Sequence, residues 1–426
     1  MRAVLPSGLS KNILTLSSGN ALIYVLSLFV TPIMTRIYPA EAYGGFAYLN
    51  SLVMILSAIS TLKMEGAILI AKENEVKTIA KIILICSLLV SSFSIFWGYS
   101  FGIGENYEVL LIPILVFLFS IQKITNATAI RYKHFSTVSK SRIIGTIGGK
   151  MTALLAPLFF HPFAFWLLIS EGVIKTVEIV LCKKKLGAFP ASNVGSKKTL
   201  IKYRKYPLYS LPSNLMALLV IQVPIYSIGY FFNNKDLGHY SLASTILSLP
   251  SMIVIQAVAP IFVSSVSEEL RENGKWDVTA LVKNLLYLVI FMMIPLITLQ
   301  FFGNEIFSFA FGIGWAYSGT YASILSISFF FIFLTSSVVP LLQVKERQES
   351  ILVITILQVV FSVIPVFFLW ILDLSLDNYL LYHSISISII STGILIYLDR
   401  SLPLHLSRNI YLLIVIFVIF YIISFI

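Results

Sequence analysis

Charged residues are scarce in this sequence. Only 12% of its 426 residues are Asp, Glu, Lys or Arg, whereas 58% are hydrophobic and the mean hydropathy is +0.92. Water-soluble domains carry about 25% charged residues, so the composition argues against a soluble fold. The sequence also has two cysteines, Cys86 and Cys182. Both fall in predicted spans, 96 residues apart, and they form neither a disulfide framework nor a Cys-x-x-Cys metal or redox pair.

Catalytic motifs are missing as well. The five histidines are scattered without metal-ligand spacing, and there is no G-x-S-x-G motif, no P-loop and no carboxylate pair on a large loop. We therefore predict a chain that is not an enzyme and has no bound cofactor. An ATP-driven pump contained in this chain is unsupported for the same reason.

Long apolar runs, in contrast, recur from one end of the chain to the other. Each is about 20 residues long, enough to cross about 30 Å of hydrocarbon. The first run has no small-x-small cleavage site at its end, so we read it as a retained span. The fold class predicted is an all-α polytopic membrane protein. Its spans are expected at 13–35, 43–62, 79–101, 107–130, 141–160, 163–182, 208–232, 240–265, 281–302, 319–342, 350–372, 377–398 and 409–426.

Basic residues are distributed unevenly between the two sides. With the N-terminus placed inside, the amino-terminal tail and every second connection hold 25 of the 30 basic residues; the alternate connections hold only Arg36 and Lys235. Cytoplasmic loops carry such an excess of Lys and Arg. We therefore predict a cytoplasmic N-terminus and a long cytoplasmic connection over 183–207. The basic excess is then a topology signal, and no nucleic-acid partner is expected.

The two halves of the chain resemble each other. Asn20 and Gly44 are 24 residues apart, and so are Asn214 and Gly238; each glycine is followed two positions later by an aromatic residue. Both halves start inside, which predicts parallel repeats, a common transporter plan with the substrate path between the lobes. The predicted domains are a six-span lobe over 1–182, a basic linker over 183–207, a second six-span lobe over 208–398 and an additional hydrophobic segment over 399–426.

Several stretches resemble one family in particular. They include "TPIMTRIYPAEAYGGFAYL" (31–49), "STLKMEGAILIAK" (60–72), "YRKYPLYSLPSNLMALLVIQVPIYSIGYFFNNKDLGHYSLASTILSLP" (203–250), "FGIGWAYSGTYASIL" (311–325) and "SSVVPLLQVKERQE" (336–349). In the same order, they are similar to bacterial O-antigen and polysaccharide repeat-unit flippases of the Wzx type, within the multidrug/oligosaccharidyl-lipid/polysaccharide exporter superfamily. The chain departs from the family where Lys63 replaces a frequent arginine and where a thirteenth apolar segment follows the twelve-span core.

The resemblance implies a fold and a substrate. The expected fold has two pseudo-symmetric six-helix bundles around a central cavity. The implied substrate is an undecaprenyl-diphosphate-linked oligosaccharide, moved from the inner to the outer leaflet of the bacterial cytoplasmic membrane by alternating access. Membrane lipids and other polysaccharide assembly proteins are the further partners expected.

A diphosphate crossing the bilayer needs positive charge or hydrogen-bond donors, and charges within spans usually face a polar interior. Lys123, Lys150 and Lys175 are therefore candidate substrate-binding residues. Asn126, which follows Lys123 on the same helical face, is a further candidate substrate-binding residue. So is Arg142, which lies eight residues before Lys150 on a polar stripe. The alternative for Lys123 and Lys150 is snorkelling from a helix end.

Two carboxylates share a helical face with Lys175. Glu171 and Glu178 lie four residues before it and three after it. A Glu–Lys pair at this spacing neutralises itself and lowers the cost of insertion; alternatively, Glu171 or Glu178 binds a coupling proton or sodium ion while Lys175 meets phosphate.

Two further basic residues lie at span ends. Lys63 is expected at the cytoplasmic mouth of the second span, and Arg36 on the outer side. Each fits an interfacial anchor as well as a contact to the substrate where it enters or leaves.

Two other functions remain open. A cation-coupled multidrug exporter would share the fold, but it expects an acidic cavity for cationic drugs. A membrane polysaccharide polymerase usually needs a large outward loop, whereas the long loop here is inward and basic.

Overall fold

The computed structural model describes residues 7–100, 106–186, 195–253, 279–344, 347–402 and 408–424. Within these ranges the regular structure is helical, without β-strands. A search of the described residues finds eight helices that are long and apolar enough to cross a membrane, and two shorter apolar helices, Gly19–Thr35 and Ile410–Ile423. The protein is therefore a multi-pass membrane protein, and the predicted all-helical fold class is confirmed.

The helices follow one another with short connections. In chain order they are α1 (Ser7–Thr35), α2 (Ala40–Thr61), α3 (Glu65–Ile70), α4 (Glu73–Ser100), α5 (Asn106–Arg131), α6 (Phe135–Leu155), α7 (Ala164–Leu186), α8 (Ser196–Lys202), α9 (Leu211–Phe231), α10 (Asn234–Ile253), α11 (Thr279–Phe311), α12 (Ala316–Val338), α13 (Leu341–Val344), α14 (Gln348–Leu372), α15 (Leu376–Ser401) and α16 (Arg408–Ile423).

Each predicted span coincides with one of the long helices or with α16. The second half of the span expected over 240–265 lies outside the described residues. Helix ends have local causes: Pro39 disfavours helix at Tyr38, so α1 stops at Thr35 and α2 begins just after the proline. The Tyr38 hydroxyl, fully buried, donates to the Ala153 carbonyl at 2.7 Å and fixes this turn against α6.

The chain forms two compact units. One unit, which we call the amino-terminal unit, comprises residues 14–30 and 37–225. In it α7 packs on both α5 and α6, and α4 packs on α2 and α5. Gly145 and Gly149 let α6 approach α7 closely: a β-carbon on Gly149 would lie 2.6 Å from the Ser170 carbonyl oxygen.

The other unit, the carboxy-terminal unit, comprises residues 1–13, 31–36 and 226–426. Here α12 is the central helix, packed against α10, α11 and α15. Helix α16 belongs to this unit: the Phe417 ring stacks on Phe330 at 4.2 Å, and the Tyr421 hydroxyl donates to the Ile324 carbonyl at 2.9 Å. The lobe boundaries expected at the linker over 183–207 stay a prediction.

Candidate functional site

Four lysines of the amino-terminal unit form a linked group, which we call the lysine cluster. Its members, Lys63, Lys123, Lys150 and Lys175, come from the turn after α2, from α5, from α6 and from α7. The sequence predicted all four as substrate-binding residues. Their positions relative to one another follow from the packing of these helices.

Lys63 stands on an unusual turn. Helix α2 ends at Thr61, and the next two residues, Leu62 and Lys63, have left-handed backbone conformations with φ of 49° and 56°. A left-handed residue that is not glycine costs roughly 1–2 kcal/mol. The turn directs the Lys63 ammonium towards Glu65, with Nζ 3.7 Å from Oε1. The other Glu65 oxygen, Oε2, is buried and has no hydrogen-bond partner among the described residues.

Lys123 joins α5 to α2. Its Nζ donates to the Ser57 carbonyl at 3.0 Å and lies 3.4 Å from the Ser57 hydroxyl. The Lys123 ammonium also interacts electrostatically with Glu65, Lys63 and Lys175. Its hydrogen bonds, however, go to Ser57 of α2.

Lys175 is held loosely on α7. Its Nζ lies 3.9 Å from Oε2 of Glu171, one turn earlier, and 4.7 Å from the centre of the Phe119 ring. The lysine side chain is 17% exposed and the glutamate side chain 24%. A separation near 4 Å is too long for a direct hydrogen bond. The Glu171–Lys175 pair expected from the sequence therefore forms, but as a long contact.

Lys150 meets the same carboxylate from α6. Gly149 lies against Ser170, so Lys150 and Glu171 follow the point of closest approach of α6 and α7. Glu171 acts on the Lys150 ammonium electrostatically. Glu171 therefore contacts Lys175 and influences Lys150 through its charge alone.

Glu178 has different surroundings. Its carboxylate is 4% exposed and accepts hydrogen bonds from two α5 amides, Gln122 Nε2 at 2.6 Å and Asn126 Nδ2 at 3.4 Å. Lys175 faces Glu171 instead. Two acids predicted as equivalent coupling candidates thus have distinct partners.

Lys123 and Asn126, which we expected on one face of α5, contact different neighbours. Lys123 bonds α2 and Asn126 bonds α7. Three residues advance a helix by about 300°, so the two side chains diverge by roughly 60°. In a tightly packed bundle this is enough to separate them.

Helices α5 and α7 keep a constant register along this contact. Phe119 faces Lys175, Gln122 bonds Glu178, and the Cys182 thiol lies 3.6 Å from the Asn126 side-chain oxygen. The two bonded pairs are each separated by 56 residues in sequence. The helices therefore run parallel and in step.

Two arginines predicted as substrate-binding residues form hydrogen bonds within the protein. Arg142 donates to the Asn20 side chain at 3.0 Å, joining α6 to α1. In the carboxy-terminal unit, the exposed Arg36 donates to the Phe309 carbonyl at 3.3 Å. Neither lies in the lysine cluster.

A second group of charges, the linker dock, ties α8 to α4. The Glu75 carboxylate accepts from Lys202 at 2.5 and 2.7 Å, from the Tyr203 hydroxyl at 2.7 Å and from the Lys72 backbone amide at 3.1 Å. The hydrogen bonds to Glu75 raise the pKa of Lys202 above its ordinary value. Tyr206 packs over Gly66, where a β-carbon would lie 2.8 Å from its ring.

Sequence reasoning missed three partners in the site: the Ser57 carbonyl, the Phe119 ring and the Gln122 amide as a ligand of Glu178. Gln122 and Asn126 are four residues apart, and this spacing was the available signal for a face of amides. Backbone carbonyls and aromatic faces leave no such signal. Among the described residues there is no group of three or more His, Cys, Asp or Glu side chains placed to hold a metal ion.

Comparison with solved structures places the fold. The chain matches the structure of the lipid II flippase MurJ in an inward closed conformation, with a TM-score of 0.69 at 13% identity over 96% of this chain and 97% of that one. It also matches the MATE multidrug transporter DinF-BH, with a TM-score of 0.65 at 14% identity over 95% and 98%. A third match is an inward-facing MATE family transporter of the MOP superfamily, with a TM-score of 0.56 at 15% identity over 92% and 96%.

Comparison of sequences identifies the family. No curated protein sequence matches the chain. A family model described as "Polysaccharide biosynthesis protein" matches residues 33–320, well over half of the sequence. The resemblance read from the sequence is thus confirmed, and the fold is that of MurJ and the MATE transporters. The chain belongs to the polysaccharide biosynthesis protein family.

Proposed function

We propose that the protein is a flippase for undecaprenyl-diphosphate-linked oligosaccharides, such as O-antigen or capsule repeat units. The observation that carries the proposal is the lysine cluster. A member of a polysaccharide biosynthesis family holds four lysines in one unit, and two of them contact carboxylates loosely, Lys63 with Glu65 and Lys175 with Glu171. The net positive charge suits a diphosphate.

The chemistry of the amines supports an anionic substrate. An ammonium has three N–H donors and no acceptor. The contacts of Lys63 and Lys175 with carboxylates, at 3.7 and 3.9 Å, are longer than hydrogen bonds, so their donors are available to phosphate oxygens. A charge inside a membrane protein is expensive and is usually retained for a substrate or ion path.

The runner-up is a cation-coupled multidrug exporter, which the fold likeness to MATE transporters also fits. A cationic drug would be repelled by the four amines of the lysine cluster, which outnumber its carboxylates. A polysaccharide polymerase is less well supported, because the long connection over 183–207 is the basic one and is expected on the cytoplasmic side.

The energy source that fits is the membrane potential. A diphosphate leaving a negative cytoplasm gains about 2.3 kcal/mol per charge per 100 mV if it crosses the whole field. An inward proton or sodium ion is an added driving force, and Glu178 is the carboxylate whose neutral partners suit a coupling site. We expect alternating access in the bacterial cytoplasmic membrane, with the N-terminus inside and other polysaccharide assembly proteins as partners.

The proposal is tested by reconstitution. Purified protein in liposomes should move a fluorescent undecaprenyl-diphosphate oligosaccharide between leaflets, and Lys123→Ala, Lys150→Ala and Lys175→Ala should each slow this movement. Lys198→Ala is the matched control, because Lys198 is exposed on α8 outside the spans. Full flipping by all three cluster variants would remove these lysines from the mechanism; transport of cationic dyes without lipid movement would favour the drug exporter.

A further inference from the structure

The lysine cluster is arranged in depth. Lys63 lies just beyond the end of α2, on the side predicted to be cytoplasmic. Lys123 lies eight residues before Arg131, and Lys175 lies eight residues before Lys183. Arg131 and Lys183 are at the side predicted to be cytoplasmic, so both lysines are about 12 Å deep along their helices. Lys150 lies five residues from the opposite end of α6, about 8 Å. The four amines therefore occupy three levels.

A carboxylate stands between successive levels. Glu65 pairs with Lys63 and interacts with Lys123 one level deeper. Glu171 pairs with Lys175 and interacts with Lys150 at the outermost level. Each acid thus contacts one lysine, at 3.7 or 3.9 Å, and its charge reaches a second lysine that it does not contact.

These carboxylates are incompletely satisfied. One oxygen of Glu65 is buried without a hydrogen-bond partner among the described residues, and Glu171 keeps 24% of its side chain exposed. By comparison, Glu178 accepts two amide hydrogen bonds and is 4% exposed. A charged group that lacks full hydrogen bonding is replaced at little cost by a better anion.

We infer that Glu65 and Glu171 are exchangeable counterions, which a diphosphate displaces in order from the cytoplasmic side outward. This inference rests on the proposed flippase function and adds positioning residues to it. The incoming diphosphate takes the donors of Lys63 from Glu65, and then those of Lys175 from Glu171. Each carboxylate re-forms its ion pair when the substrate leaves its level.

The counterion role predicts opposite effects on binding and transport. Removing one carboxylate leaves its lysines uncompensated, so the diphosphate binds more tightly. The same substitution slows transport. Without the carboxylate, no internal anion competes for the lysine, so the diphosphate is released more slowly. A residue with a structural role alone would weaken binding and transport together.

The test uses the full-length protein in detergent micelles, with undecaprenyl diphosphate as the probe. Glu171→Gln and Glu65→Gln should each lower the Kd by roughly three- to tenfold and also reduce the flipping rate in liposomes. Glu349→Gln is the matched control: it removes the same charge from an exposed position on α14 and should leave the Kd within about twofold of wild type.

The outcomes separate the two proposals. If wild type binds the probe but neither Gln variant binds it more tightly, the counterion inference is wrong and the flippase function stands. If wild type and all variants fail to bind it, the flippase function is wrong and the counterions with it. The two glutamates lie on different helices. If one of the two Gln variants does not fold, the other still tests the counterion inference.

Discussion

The linker dock and the lysine cluster both pair lysine with glutamate within the same compact unit, yet they do so differently. In the dock, Glu75 meets Lys202 at 2.5 and 2.7 Å and also accepts from a tyrosine and a backbone amide. In the cluster, the ammonium–carboxylate distances are 3.7 and 3.9 Å. The dock uses up its hydrogen-bonding capacity, and the cluster retains it.

The difference separates structure from function. Tight, fully hydrogen-bonded pairs hold elements together, whereas buried charges left loose cost stability and are kept for another reason. We therefore expect substitutions in the cluster to impair transport more than folding. Substitutions in the dock should do the reverse.

The largest effect is expected when two cluster lysines are removed together. Lys123→Ala/Lys175→Ala should lower the flipping rate by roughly 100-fold or more, because each lost charge–phosphate contact contributes about 1.5–3 kcal/mol. The melting temperature in detergent should change little. A double variant that flips at the wild-type rate, with intact expression, would show that the loose pairs serve no transport role.

Next in size is the loss of the acid at the centre of the dock. Glu75→Ala leaves the Tyr203 hydroxyl and the Lys202 ammonium without their acceptor, which should destabilise the protein by about 1–3 kcal/mol. Thermal unfolding followed by tryptophan fluorescence measures this. Glu73→Ala, at the exposed start of the same helix, is the control with a smaller expected shift. If Glu75→Ala lowered the flipping rate per folded molecule as much as the lysine variants do, the dock would not be purely structural and the comparison would be wrong.

A smaller effect is expected from the dock tyrosine. Tyr203→Phe removes one hydrogen bond to Glu75 and keeps the ring packed, so unfolding should become easier by about 1 kcal/mol. The same thermal measurement applies. Tyr209→Phe, at an exposed position, should leave the melting temperature unchanged.

The smallest effect concerns pH. Because the folded-state pKa of Lys202 is raised above its ordinary 10.5, the stabilisation from its pair with Glu75 is fully present below that pH and is lost as the pH rises through the folded-state pKa. The difference in melting temperature between wild type and Lys202→Gln should therefore be constant from pH 7 to about 10 and shrink above about 10.5. If the difference in melting temperature grew with pH, the Lys202–Glu75 pair would not be the source of the stabilisation.

The helix positions were predictable because lipid leaves an apolar chain few choices: backbone groups must be paired within a helix, and each apolar run marks one. The candidate lysines were predictable from their rarity within spans. Their partners were not, since the contacts depend on helix rotation and depth. Glu171 and Glu178 lie on one face of α7, but seven residues, about 10 Å, separate them, so each meets a different neighbour.

The parallel register of α5 and α7 has a mechanical consequence. Sliding one helix past the other by a turn, about 5.4 Å, would break the Gln122–Glu178 bond, the Asn126–Cys182 contact and the Phe119–Lys175 contact at once. Interactions that must all break in the same step resist such a slide far better than interactions that can break one by one. The two helices therefore form one block here, and a conformational cycle would move Lys123 and Lys175 together rather than rearranging them relative to each other.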